Sequence, residues 1–199
     1  MKGQMFLIAT IIIISGLFFV RMGIRTPEIS RQKALLEMSY EKEFFENMQN
    51  ELENSILFSA NEKNEITNNA FDFMNFSRKK SYERGFILKT FFVGIYSNHS
   101  ANSLLVTTIN SMGKEINVSL NFNGNENSKE LKDYERWDNS YQFIPGNTYW
   151  LNITYDNSTR NLSLETSATK DNYFYYFDLS LVSTNALHKQ KIEKKLNLP

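Results

Sequence analysis

The sequence predicts an α+β protein: an N-terminal transmembrane helix, an amphipathic helical stalk, then an antiparallel β-sheet or β-sandwich domain. Three observations predict it. Met5–Val20 carries no charge, apolar residues recur at helical spacing from Leu35 to Ile56, and beyond Gly85 apolar and polar residues alternate. The expected organisation is 1–25 for the membrane segment, 26–84 for the stalk, 85–185 for an extracytoplasmic β-domain and 186–199 for a basic C-terminal tail.

Eleven of the sixteen residues from Met5 to Val20 are Ile, Leu, Phe or Val. At about −0.3 to −0.6 kcal/mol each, they contribute about −3 to −7 kcal/mol toward insertion in a bilayer. A helix from Met5 to Ile24 spans roughly 30 Å, and Arg21 can snorkel to the headgroups. Val20-Arg21-Met22 and Gly23-Ile24-Arg25 lack the A-x-A pattern of an ordinary signal-peptidase site. Charge does not orient the segment, because Lys2 and the amino terminus oppose Arg21, Arg25 and Arg31.

Lys2-Gly3-Gln4, set directly before the unbroken apolar run, resembles the class III signal peptide of archaeal type IV pilin-like proteins. The resemblance implies a short leader cut between Gly3 and Gln4 by a prepilin-type peptidase, with the helix kept on the mature chain. It further implies a single-pass cell-membrane protein with a cytoplasmic amino terminus and an extracellular C-terminal domain. It covers about the first twenty-five residues. The family pattern has Ser two residues and Glu four residues after the glutamine, where this chain has Phe6 and Ile8. In the family that Glu is thought to pair with a neighbour's amino terminus, so its absence makes the resemblance that of a minor or accessory subunit. The implied partners are the lipid bilayer, other pilin-like subunits and the peptidase. The alternative is an uncleaved, non-polymerising surface protein whose β-domain binds a glycan or a protein.

Thr26-Pro27-Glu28 reads as a helix start, with Thr at the N-cap, Pro at the first position and a carboxylate in the first turn. Leu35, Met38, Phe45, Met48, Leu52 and Ile56 then share one face, widened by Leu36, Tyr40 and Phe44. The polar stretch at 59–69 is a candidate interruption before a second periodic run, Ile66, Ala70, Phe73 and Met74.

About seven strands follow. FILKTFFVGIY is an aromatic and β-branched run and YFYYFDLSLV supplies a last strand; Ile116, Val118, Leu120 and Phe122 share one face, and Tyr149, Leu151, Ile153 and Tyr155 alternate with Asn152 and Thr154. The stretch 123–140 reads as a long polar loop. Asn-x-Ser/Thr acceptor sequences for N-glycosylation occur at Asn75, Asn98, Asn117, Asn152, Asn157 and Asn161; Asn117 and Asn152 fall on polar faces and Asn157 in a turn.

Chemistry is sparse. The chain has no cysteine, which removes disulfides and thiolate sites. His99 and His188 lack a second ligand at metal spacing and read as solvated. No nucleophile elbow, phosphate loop or dinucleotide fingerprint occurs, so no catalytic, metal or cofactor site is expected. With 22 basic and 22 acidic residues, no global charge draws the chain to nucleic acid. Arg78-Lys79-Lys80 reads as a solvated helix end. The aromatics Tyr173–Phe177, with Tyr149, Trp150 and Tyr155, read as core packing rather than a sugar-stacking platform.

Overall fold

The computed structural model describes residues 2–59, 66–184 and 186–198, with the side chains of 2–10 and 22–30 outside the description. The chain forms two compact units, residues 1–44 and 45–199.

The first unit is helical. Helix α1, Lys2–Ser59, runs unbroken through Thr26 and Pro27, so no helix starts there. Proline lacks an N–H and forfeits one i→i−4 bond, but the helix continues across it into 31–59, where Glu, Leu, Lys, Gln and Met, all good helix formers, recur. The described side chains at 11–21 and 31–40 are all exposed.

The transmembrane anchor is overturned. Among the described residues no helix is long and apolar enough to cross a membrane. The single-pass cell-membrane placement, with its extracellular β-domain, falls with the anchor.

In the second unit, the end of α1 buries Phe45, Leu52 and Ile56. Helix α2, Ile66–Glu83, buries Ile66, Ala70, Met74, Ser77 and Ser81, a stripe at spacings of three and four. The expected interruption at 59–69 coincides with the end of α1 at Ser59, and residues 60–65 lie outside the description. α2 ends in paired capping bonds, Phe86 N–H to Ser81 O at 2.9 Å and Gly85 N–H to Tyr82 O at 3.0 Å. These satisfy two of its last carbonyls and turn the chain into the first strand.

Nine strands follow in chain order: β1 (Ile87–Asn98), β2 (Ser103–Ser111), β3 (Ile116–Phe122), β4 (Asn125–Leu131), β5 (Glu135–Gln142), β6 (Thr148–Tyr155), β7 (Ser158–Glu165), β8 (Asn172–Val182) and β9 (Leu187–Asn197). They make two antiparallel sheets, ordered β5-β2-β1-β8-β9 and β4-β3-β6-β7. The sheets face each other across a core that includes Phe91, Val106, Leu120, Ile153 and Tyr176. On the other face of the five-stranded sheet lie α2 and the part of α1 beyond residue 45, where Met48, Leu52 and Met74 meet Leu88, Thr90 and Leu179.

This layering explains the two sequence patterns. β1 and β8 are central in a sheet covered on both faces and are therefore buried along most of their length, whereas β3 and β6 have one open face and alternate.

Two stretches differ from expectation. The polar stretch 123–140 is not a loop: it holds β4 and most of β5, and β4 folds back on β3 through Asn123 and Gly124 at φ 51 and 88°, the paired left-handed residues of a tight hairpin turn. Nor is the C-terminus a solvated tail, because its lysines line β9, an edge strand paired to β8 from Leu187 to Asn197. Lysine on an edge strand discourages a further strand from adding.

Candidate functional site

Three polar clusters and one apolar surface stand out from the framework. The first centres on Asp171, in the β7–β8 connection. Its Oδ2 accepts from Tyr96 OH at 2.7 Å, and its Oδ1 accepts from the His99 backbone N–H at 3.0 Å and lies 2.9 Å from His99 Nδ1. His99 is therefore not a solvated histidine; it ties the β1–β2 turn to a buried carboxylate. Burial, then the bond to Asp171, pushes the Tyr96 phenol well above its usual range. Ser100 Oγ is 3.4 Å from His99 Nε2, longer than an effective O–H···N bond. The Asp–His–Ser order is that of a hydrolase triad, but the distances are those of a turn clamp.

The second cluster crosses the sandwich. Tyr155 OH donates to Asp178 Oδ2 at 2.6 Å and lies 2.6 Å from Tyr176 OH, while Lys191 Nζ is 3.3 Å from Asp178. The Tyr155 ring stacks on Phe91 at 3.9 Å. Burial first, then these bonds, hold its phenol far above its ordinary value. Asp171 and Asp178 thus belong to separate networks and form no carboxylate pair.

In the third, Arg78 Nη1 donates to both oxygens of Asp133 at 2.8 Å, and its guanidinium lies 4.3 Å from the Tyr134 ring centroid. Asp133 also accepts from Gly113 N–H at 2.8 Å. Asn110 beside it donates to the carbonyls of Lys114, Leu131 and Lys132. Arg78 is a half-buried clamp joining α2 to the β4–β5 loop rather than a solvated helix end. Among the described residues no group of three or more His, Asp or Glu is placed to hold a metal ion.

The glycosylation acceptors separate clearly. Asn75 sits half-buried in α2; its Oδ1 is buried without a hydrogen-bond partner among the described residues, and Ser77 of the same sequence is buried. Asn98 is occupied as a turn cap, accepting from Ala101 N–H at 2.9 Å. Asn117, Asn152 and Asn161 are exposed on the open face of the four-stranded sheet, and Asn157 is exposed in the β6–β7 turn at φ 62°. Asn152 and Asn161 are directly opposite one another in the register. The side chains of Gly3 and Gln4 lie outside the described residues. Of the aromatic set, Tyr155, Tyr173, Phe174, Tyr175, Tyr176 and Phe177 are buried, Tyr149 is half-buried, and Trp150 is 59 % exposed.

The apolar surface lies on α1. Ile11, Ile12, Ile13 and Ile14 are 55 to 65 % exposed, and Leu17, Phe18, Phe19 and Val20 are 59 to 72 % exposed. Four consecutive isoleucines, roughly 100° apart around the axis, point to every side of the helix. No protein-family model matches the chain, and no curated protein matches it.

Proposed function

We propose that the chain is a non-catalytic structural subunit that assembles with like chains through its N-terminal helix, in the manner of a minor subunit of a pilin-like filament. One observation carries this reading: Ile11–Val20 is apolar on all sides and exposed on all sides. A helix that is apolar all round requires cover all round. Eight large aliphatic or aromatic side chains stand exposed there. Burying each is worth roughly 1.5–3 kcal/mol, so the stretch offers on the order of 12–24 kcal/mol per chain as an upper bound. A single partner helix covers one side, so a bundle of three or more copies satisfies the segment. Leu35 and Leu36, 58 and 72 % exposed, extend the same demand along α1. The polar clusters support a structural role too, since each carboxylate is engaged in holding loops and strands together.

Cysteine scanning tests this on a chain that has no cysteine of its own. Ile11→Cys, Ile12→Cys, Ile13→Cys and Ile14→Cys are made singly and oxidised. A multi-helix bundle cross-links copies from all four positions. Cross-links confined to one helical face would reduce the assembly to a pair, and none at any position would end the proposal.

A further inference from the structure

The open face of the four-stranded sheet is built of amides and hydroxyls around one exposed indole. On β6, Leu151, Ile153 and Tyr155 point into the core, which places Trp150, Asn152 and Thr154 on the outside. The register puts Asn121 opposite Asn152 and Asn152 opposite Asn161, a row of three amides across β3, β6 and β7. The next row is Ser119, Thr154 and Thr159, with Thr154 and Thr159 hydroxyls 3.2 Å apart. Trp150 stands beside the amide row, opposite Ser163.

We propose that this face binds a neutral polysaccharide, with Trp150 as the stacking platform and Asn152 and Asn161 as the hydroxyl-reading amides. Each element of the face suits that ligand. An indole presents a flat apolar surface for the C–H face of a pyranose ring, and its N–H remains available at the edge. A side-chain amide offers a donor and an acceptor on one short plane, which matches a pair of neighbouring sugar hydroxyls. Strands roughly 4.8 Å apart repeat these groups at about the length of one sugar ring, so an extended chain crossing the strands meets a new amide at each step. Toward β4 the surface opens into a shallow groove of about 230 Å³ lined by Asn117, Val118, Ser119, Ser128, Lys129, Glu130 and Thr154, with the Lys129 charge paired to Glu135 at 2.6 Å. Glu130 and Glu126, which accepts from Ser119 Oγ at 2.8 Å, border the face with negative charge. That border disfavours an anionic polymer. The rigid pleat keeps the row in place before a ligand arrives, which lowers the entropy cost of binding.

The inference is independent of assembly through α1, and its test keeps the two apart. The intact chain is run by affinity electrophoresis through gels containing hydroxyethylcellulose, xylan, glucomannan or soluble starch, with polygalacturonate as the anionic comparison. Retardation by at least one neutral polymer is expected, accompanied by a blue shift in tryptophan emission. The chain has two tryptophans, and the half-buried Trp137 remains as an internal reference in the variant lacking the other. Trp150→Ala should weaken retention tenfold or more, the double change Asn152→Ala with Asn161→Ala several-fold, and Ile12→Asp on α1 not at all. Circular dichroism verifies that each variant is folded. Absence of retardation in all four neutral gels would overturn the proposal, as would retention unchanged by both sheet variants. Retention by polygalacturonate alone, or by an immobilised protein alone, would overturn it as well.

Discussion

Replacing Tyr155 by Phe removes one oxygen from the middle of the sandwich and leaves everything else in place. The ring is 1 % exposed and stacks on Phe91 at 3.9 Å, so its volume and packing survive the change. What disappears is a hydroxyl that donates to Asp178 at 2.6 Å and lies 2.6 Å from Tyr176 OH. A hydrogen bond to a charged group contributes about 1.5–3 kcal/mol, and one between neutral groups about 0.5–1.5 kcal/mol. Asp178 retains Lys191 at 3.3 Å, which offsets part of the loss. The expected destabilisation is therefore about 2–4 kcal/mol. For a unit of this size, 1 kcal/mol displaces the melting temperature by roughly 2–4 °C, so a fall of at least about 4 °C is expected. Chemical denaturation at constant m-value measures it directly. Pairing the change with Asp178→Asn closes a double-mutant cycle, in which the two sites should couple by about 1 kcal/mol or more. A Tyr155→Phe protein within about 0.5 kcal/mol of the parent, the range of an inconsequential surface change, would refute the view that this seam joins the two sheets.

Gly94→Ala should destabilise by about 1–3 kcal/mol through overpacking, because a Cβ there would clash with the Tyr173 hydroxyl and come within 2.9 Å of Phe92 Cζ; an unchanged denaturation midpoint would contradict this. Arg78→Ala should cost about 1–3 kcal/mol by leaving the half-buried Asp133 without the cation that donates to both its oxygens, and Arg78→Lys should recover less than half of that, since an ammonium cannot reproduce the planar contact with Tyr134; denaturation midpoints of the two variants decide. At high pH, burial raises the phenols of Tyr96, Tyr141, Tyr155 and Tyr173 above the ordinary value of 10.0, and that of Tyr175 to about 12. A raised folded-state value means the fold favours the protonated ring, a contribution complete below pH 10 and lost as pH climbs through the folded values. Phenolate absorbance at 295 nm should therefore show these tyrosines ionising together with loss of β-sheet signal, and all ten tyrosines titrating near pH 10 with the fold intact would contradict it.

Much of the β-framework was readable from side-chain periodicity, and the failures share a cause. β3 and β6 alternate because one face meets the core, and β1 and β8 are dense in aromatic and β-branched residues because both of their faces are covered. β4 and β5 were hidden because they are edge strands: of β4 only Leu131 is buried, and of β5 only Tyr141. The Asn123-Gly124 pair was the one local sign of a hairpin. β9 was masked for the same reason, with Ile192 its single buried residue among four lysines. The polar clusters had no local signature, since Asp171 lies 72 residues from His99 and Asp133 lies 55 from Arg78. Trp150 is visible in the alternation, sharing its side of β6 with Asn152 and Thr154, but its neighbours in the sequence, Tyr149 and Leu151, point the other way, and only the exposure of its ring separates it from the aromatics that the fold buries. Apolar content alone does not distinguish a membrane anchor from an exposed apolar helix that other helices cover, and the described residues show the exposed helix.

Sedimentation velocity of the intact chain over a wide concentration range tests most directly whether Ile11–Val20 gathers copies around itself. Species of three or more chains are predicted, collapsing to single chains when Ile13 and Phe19 are both changed to Asp. A lone boundary at the single-chain mass of 23.3 kDa, at the highest concentration reached, would contradict the account.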